Sequence, residues 1–330
     1  MIGSSVDRVI KNPLVLDQII RSPDLPISRQ RQFLLSSRAM PARTKTRRPT
    51  ITLIGAGSLA HALGPALRAG GYRIEAVAGR NTAPSQKRAV ALARKLGAKA
   101  IRLEEAGPSS DVIWLCHTDD AVPETARRLA RKPGWKGKIV FHSSGALTSA
   151  VLAPLKRAGA HTASLHPMMT FVPGTTPRMK AVPFAVEGDR PAVSIARRIV
   201  RNLGAEIFPI KKEAKVLYHA LGSFSSPLVV ATLVTAERVG RAAGLSRSQT
   251  RKVMAPILRQ TIQNYVKSGP AAAFSGPIKR GDLETVRRHL RELKRVPGAS
   301  EVYRALVKSA LRDLPAENRM ALEALLQRSR

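Results

Sequence analysis

Three segments of the chain end in side chains able to do acid–base and hydrogen-bond chemistry. Leu115-Cys116-His117-Thr118-Asp119-Asp120, Phe141-His142-Ser143-Ser144-Gly145-Ala146 and Ser164-Leu165-His166-Pro167-Met168-Met169 each close an apolar run of buried-strand length. Ser144 and His166 are the foremost catalytic candidates, because a hydroxyl and an imidazole can hold and protonate a carbonyl oxygen as hydride reaches the carbon. Imidazole suits that task near neutral pH, and Pro167 restrains the chain beside it. Plainer roles compete elsewhere. Asp119 and Asp120 suit N-caps of a helix starting at Ala121. His142 is either a satisfied structural histidine or a contact of the cofactor's nicotinamide end. His61, His161 and His289 read as packing or surface. A metal held by His117, His142 and His166 lacks an acidic or cysteine partner at ligand spacing, so none is expected.

What must position these residues is a strand-and-helix scaffold, and one turn identifies its kind. Ile51-Thr52-Leu53-Ile54 breaks into Gly55-Ala56-Gly57-Ser58-Leu59-Ala60, a G-x-G-x-x-A turn followed by a helical pattern through Leu67. Gly55 permits the tight turn, Gly57 lets a pyrophosphate approach the backbone, and Ala60 lets the helix pack closely on the strand. The N–H groups opening that helix, from Ser58 and Leu59 onward, then face the phosphates. A second strand over Arg73–Ala78 completes a βαβ unit. In such sheets ligands bind beyond the carboxyl ends of the strands, so His117 and Thr118 are expected to face the same crevice.

The second strand indicates which dinucleotide. An acid about 20 residues past the glycines would accept from ribose hydroxyls. Here the strand runs into Gly79-Arg80-Asn81-Thr82, and Arg80, helped by Asn81, would pair with a 2′-phosphate instead. The expected cofactor is NADP, as NADPH.

The chain has 330 residues, 56 Lys and Arg against 22 Asp and Glu, and a formal net charge of +34. The basic residues are spread through nearly every segment, and aromatics make up only 4%, too few for a stacking platform on single-stranded nucleic acid. This reads as a solvated basic surface with nonspecific polyanion binding as a side effect. The single cysteine, Cys116, excludes an intrachain disulfide and suits a reducing, cytoplasmic setting.

Residues 1–49 read as a disordered basic arm, with 1–39 dispensable and Met40 an alternative start. Its apolar stretch Val9–Ile20 is broken by Lys11, Pro13 and Asp17, so no membrane span is expected there. From 50 to 210, strands near Thr50–Ile54, Arg73–Ala78, Ala98–Leu103, Asp111–Cys116, Lys138–Phe141, His161–Leu165, Pro183–Val186 and Glu206–Ile210 alternate with helices. That pattern predicts an α/β fold with a Rossmann-type, doubly wound, mainly parallel sheet. From 211 to 330 only helices are expected, over Ala214–Gly240, Ser246–Lys267, Leu283–Lys294 and Ser300–Leu311, forming an all-α domain for substrate and dimerisation.

The segments GAGSLAHALGPAL, DVIWLCHTDDAV, HSSGA, LHPMMTF, KVLYHA and GPIKRGDLETVRRHL together resemble the two-domain family that joins a Rossmann-like domain to domain of unknown function 2520. The wider group is similar to pyrroline-5-carboxylate and ketopantoate reductases and prephenate dehydrogenases, which implies nicotinamide-dependent hydride transfer at an interdomain cleft. Prephenate dehydrogenases use a serine after strand five and the histidine of an H-P-M run, and Ser144 (or Ser143) and His166 resemble these. Ketopantoate-type reductases use K-x-x-x-N, and Lys215-Val216-Leu217-Tyr218-His219 gives K-x-x-x-H, with Lys215 and His219 on one helix face. The resemblance leaves the proton to His166 or Lys215 and implies a homodimer through the helical domain, with Tyr218 against substrate; the loop Gly276–Asp282 is either a turn with Asp282 as N-cap or the place where Arg280 clamps a substrate carboxylate. Pro227, where relatives often carry Asn, removes an amide and kinks its helix. The expected activity is NADP-dependent reduction of a C=O or C=N group on a small anionic metabolite. The alternatives are an NADP-binding sensor without turnover and a basic nucleic-acid-associated protein.

Overall fold

The computed structural model describes residues 47–175 and 177–328, so the arm expected to be disordered lies, up to residue 46, outside the described residues. The fold and the site belong to the unit Thr50–Arg330.

Eight strands form one sheet: β1 (Ile51–Ile54), β2 (Ile74–Gly79), β3 (Lys99–Arg102), β4 (Val112–Leu115), β5 (Ile139–His142), β6 (His161–Pro167), β7 (Pro183–Gly188) and β8 (Glu206–Pro209), in the order β3-β2-β1-β4-β5-β6-β7-β8. All neighbours are parallel except β6 and β7, which run antiparallel. β1 and β4 are buried at every residue, which is why both are unbroken apolar runs rather than alternating ones. Both faces are covered. Helices α1 (Ser58–Ala69), α2 (Ala83–Leu96) and α5 (Arg190–Asn202) bury Leu63, Leu92 and Ile199 on one side. On the other, α3 (Val122–Ala130) and α4 (Ala153–Arg157) bury Leu129 and Leu155. Truncating such a residue, Leu53→Ala for example, would cost about 2–5 kcal/mol.

Beyond the sheet the chain is helical: α6 (Lys215–Ser225), α7 (Pro227–Ala242), α8 (Arg247–Ala273), α9 (Leu283–Leu293), α10 (Ala299–Asp313) and α11 (Arg319–Arg328). The single helix expected over Ala214–Gly240 is two, because Ser226 leaves helical geometry (φ −137°, ψ −80°) where Pro227 withholds its N–H. α8 opens with a capping box between Ser246 and Gln249 and breaks at Gly269 (φ +80°). Val286 and Leu290 of α9 pack against Val307 and Leu311 of α10 and against Leu322 and Leu326 of α11, a helix the sequence reading did not include.

Candidate functional site

β1 and β4 are parallel neighbours, and at β1 the order in which strands are added switches from one side of the sheet to the other; a crevice of about 770 Å³ opens beyond their carboxyl ends. Its floor is the glycine turn. Gly55 has φ +103°, and a Cβ there would lie 3.0 Å from the His117 nitrogen and 3.1 Å from the Cys116 carbonyl oxygen, both backbone atoms that cannot yield. Gly57 is the N-cap of α1 with no side chain to cap it, so the first N–H groups of the helix meet no carboxylate or hydroxyl among the described residues. Ser58 and Leu59 line the crevice, and Ala60 is fully buried against the strand.

The β2 side of the crevice is cationic. Arg80 and Arg88 line it, and no Asp or Glu does among the described residues. Arg80 is placed by its backbone: its N–H donates to Ser85 Oγ (2.9 Å), and Gln86 Nε2 donates to the carbonyls of Gly79 (3.0 Å) and Arg80 (3.1 Å). Asn81, expected beside it, is exposed and does not line the crevice. His61, read as packing or surface, does line it, with Nδ1 donating to the Gly57 carbonyl at 3.0 Å.

On the β4 side stand His117 and Thr118, as expected. His117 Nδ1 meets the Thr118 carbonyl at 3.3 Å, so that nitrogen carries the proton. Burial holds the imidazole below its ordinary pKa, and Nε2 is buried with no partner among the described residues. An unmade hydrogen bond of this kind costs about 1–3 kcal/mol.

Next to the crevice, the ends of β5 and β6 are tied together by polar groups. Ser144 Oγ donates to Asp119 Oδ2 (2.6 Å) and accepts from the Ala146 and Leu147 N–H groups (3.2 and 2.8 Å). Its hydroxyl is therefore spent on the turn, and Ser143, the register alternative, is the serine that lines the crevice, its Oγ accepting from Trp114 Nε1 at 2.8 Å. Asp119 is a turn tether rather than the helix N-cap anticipated for it. Of the two readings open for His142, the satisfied structural histidine is the one found, in place of the cofactor contact. It is fully buried, Nε2 donates to the Thr148 carbonyl (3.2 Å) and Nδ1 accepts from the Ser144 N–H (3.2 Å), leaving no nitrogen for a ligand. Burial, then the nearby Lys215 charge, push its pKa down to about 3.

Lys215 and His219 do share one face of α6, and it is the face turned to these strand ends. Lys215 is 1% exposed; its Nζ donates to the Ser144 carbonyl (2.9 Å) and to Ser164 Oγ (2.5 Å). Burial lowers its pKa to about 8, with Glu187 and Asp119 opposing the shift. Glu187 itself is occupied by Ser149, whose N–H and Oγ both donate to its carboxylate. His166 Nδ1 lies 3.0 Å from the Tyr218 hydroxyl, the rings edge to face. Burial, Lys215 and His219 take His166 down to about 4, and burial takes Tyr218 up to about 12. Gly145 makes this convergence feasible: a Cβ there would sit 2.5 Å from His219 Cδ2 and 3.0 Å from His166 Nε2. Met168 packs on the same helix, its Sδ 2.9 Å from where a Cβ on Gly222 would be. Arg280 is not part of this assembly. It is exposed in the turn before α9, where Asp282 caps the helix through the Thr285 N–H (3.0 Å) and Glu317 N–H meets the Lys279 carbonyl (2.9 Å).

A glycine-floored crevice at a switch in strand order, continued by a helical segment, is matched by two domain families. Residues 37–167 match the Rossmann-like domain, and residues 182–310 match domain of unknown function 2520. The chain belongs to this two-domain family. Among solved structures, the family member described here is similar to a candidate NADP oxidoreductase from Bacteroides fragilis (25% identity, TM-score 0.65, covering 79% of this chain and 97% of that one). It is also similar to a Thermotoga maritima protein (25% identity, TM-score 0.62, 78% and 95% covered). A pyrroline-5-carboxylate reductase from Coxiella burnetii shares the fold at 16% identity (TM-score 0.52, 86% and 98% covered). No curated protein sequence matches the chain.

Proposed function

We propose that the protein is an NADPH-dependent reductase acting on a C=O or C=N group of a small anionic metabolite. The observation that carries this reading is the crevice itself: an uncapped helix N-terminus over Gly57, Arg80 and Arg88 beside it, and no carboxylate in its lining among the described residues. These residues fit a dinucleotide with a 2′-phosphate, and NADPH, when bound, supplies the hydride. Similarity to a candidate NADP oxidoreductase at 25% identity supports the same cofactor.

The ring cluster over Gly145 is the proposed place of reduction. Tyr218 stays protonated and donates to His166 Nδ1, so the neutral imidazole keeps its proton on Nε2, the nitrogen that faces Gly145. As negative charge forms on the substrate oxygen or nitrogen, that proton moves to it from Nε2 while the Tyr218 proton passes to Nδ1, and the tyrosinate left behind takes a proton back from solvent before the next turnover. Lys215 has a pKa suited to neutral pH, but it is enclosed and engaged; it holds the Ser144 turn against β6 and puts positive charge beside the pair. The net charge of +34 favours an anionic substrate.

α6 carries Tyr218 and His219 toward the site, while Val216, Leu217, Leu221 and Phe224 are exposed on it, Leu217 by 78%. An 18-residue window within Lys212–Ala242 has a mean hydropathy of 1.4 and no buried residue, enough by length and composition for a membrane span, although Ser226 breaks the helix. We assign this face to a second copy of the chain, in a cytoplasmic homodimer.

Monitoring NADPH oxidation against a panel of 2-oxo acids and cyclic imines tests the reading. Turnover with one member is expected. Tight NADPH binding with no turnover across the panel would replace it with a cofactor-binding sensor.

A further inference from the structure

The crevice is furnished almost wholly with donors: the first N–H groups of α1, the guanidinium groups of Arg80 and Arg88, and the hydroxyl of Ser85. These suit phosphate. Besides the partly exposed His61, whose Nδ1 donates to the Gly57 carbonyl, the exception is His117. Its Nδ1 proton is committed to the Thr118 carbonyl, which leaves Nε2 as a bare lone pair, and that nitrogen is buried without a partner among the described residues. A buried acceptor in a wall of donors is satisfied by a ligand group that donates.

Position says which group. His117 is the second residue beyond β4, and its backbone nitrogen is the atom that would most crowd a Cβ on Gly55, so it stands against the turn that receives the pyrophosphate. The donors a dinucleotide offers next to its pyrophosphate are ribose hydroxyls; the bases lie one sugar further away. Arg80 follows β2, on one side of β1, and β4 lies on the other. If Arg80 takes the phosphorylated adenosine ribose, the sugar on the β4 side is the one bearing nicotinamide, which then continues toward β5 and the ring cluster.

We infer that His117 Nε2 accepts a hydrogen bond from a hydroxyl of the nicotinamide ribose, and so sets how far the cofactor's reactive end reaches toward His166. This rests on the dinucleotide reading above and adds a residue and a polarity to it. Thr118 shares the wall, with its hydroxyl donating to Asp120.

The test is calorimetric titration of the full-length protein and its His117→Phe variant with NADPH and with 2′,5′-ADP, which keeps the phosphorylated ribose and lacks the second sugar. His117→Phe keeps a ring of similar size and deletes the acceptor. NADPH should bind the variant about five- to 100-fold more weakly, and 2′,5′-ADP should bind both proteins alike, which also shows that the variant is folded. Unchanged NADPH affinity, or equal weakening of both ligands, would overturn the assignment. If the unaltered protein binds neither ligand, the dinucleotide reading itself falls. His117→Asn, which restores an acceptor, should recover part of the lost NADPH affinity and none of the 2′,5′-ADP affinity, which has nothing to recover.

Discussion

The two halves of the site are built on opposite terms. The crevice at β1 and β4 presents unfilled hydrogen-bonding capacity: an uncapped helix start, exposed guanidinium groups and an orphaned imidazole nitrogen. The cluster at β5, β6 and α6 has almost none, since Ser144, His142, Glu187 and Lys215 are all spent on Asp119, Ser149, Ser164 or the backbone. The first half is arranged to bind and the second to hold a few groups still, which is where pre-positioned chemistry gains most.

Breaking the second half should have the largest effect on rate and the least on cofactor. His166→Asn should lower turnover by about 10²–10⁴-fold with NADPH affinity intact, because a proton-transfer contribution belongs to the transition state. Steady-state kinetics beside a binding titration checks this. If Lys215→Ala abolishes turnover without loss of stability and His166→Asn does not, the lysine is the donor.

Lys215 sharpens the comparison through pH. A buried lysine whose pKa falls from 10.5 to about 8 binds fewer protons folded than unfolded between those values. Stability therefore rises with pH across that window, and the penalty relieved is on the order of 3 kcal/mol. Denaturant melts at pH 7 and pH 10 should show the protein gaining on Lys215→Met by that order. A gap that stays constant would mean that the lysine is not desolvated.

Gly145→Ala should cost about 1–3 kcal/mol of stability by pushing the two imidazoles apart, and should reduce turnover while sparing NADPH binding. Gly55→Ala should cost a similar amount through its positive φ and the β4 backbone, but with the reverse functional signature, loss of NADPH binding. Swapped signatures in the two variants would dissolve the division of labour.

The crevice was legible in the sequence because each of its requirements falls on one residue. Gly55 must be glycine for its φ, and Arg80 stands where an acid would otherwise be. The central strands β1 and β4 were legible because buried parallel strands are apolar throughout. What did not read out was fixed by returning loops. His142 is consumed by Thr148, six residues on, and Ser144 by Asp119 from another strand end, pairings no local pattern announces. His61 looked like a surface helix residue until α1 was set against the crevice. α11 left a readable trace, Leu322 and Leu326 at helical spacing, and Arg280 misled because its motif is specific while its turn packs on the C-terminal helices.

The central claim is that the crevice selects a 2′-phosphorylated dinucleotide through Arg80. Titrating NADPH and NADH into the protein and into Arg80→Ala tests it most directly. NADPH should bind the unaltered protein more tightly, and Arg80→Ala should erase the difference at a cost of about 1.5–3 kcal/mol; equal affinity of the unaltered protein for both cofactors would contradict it.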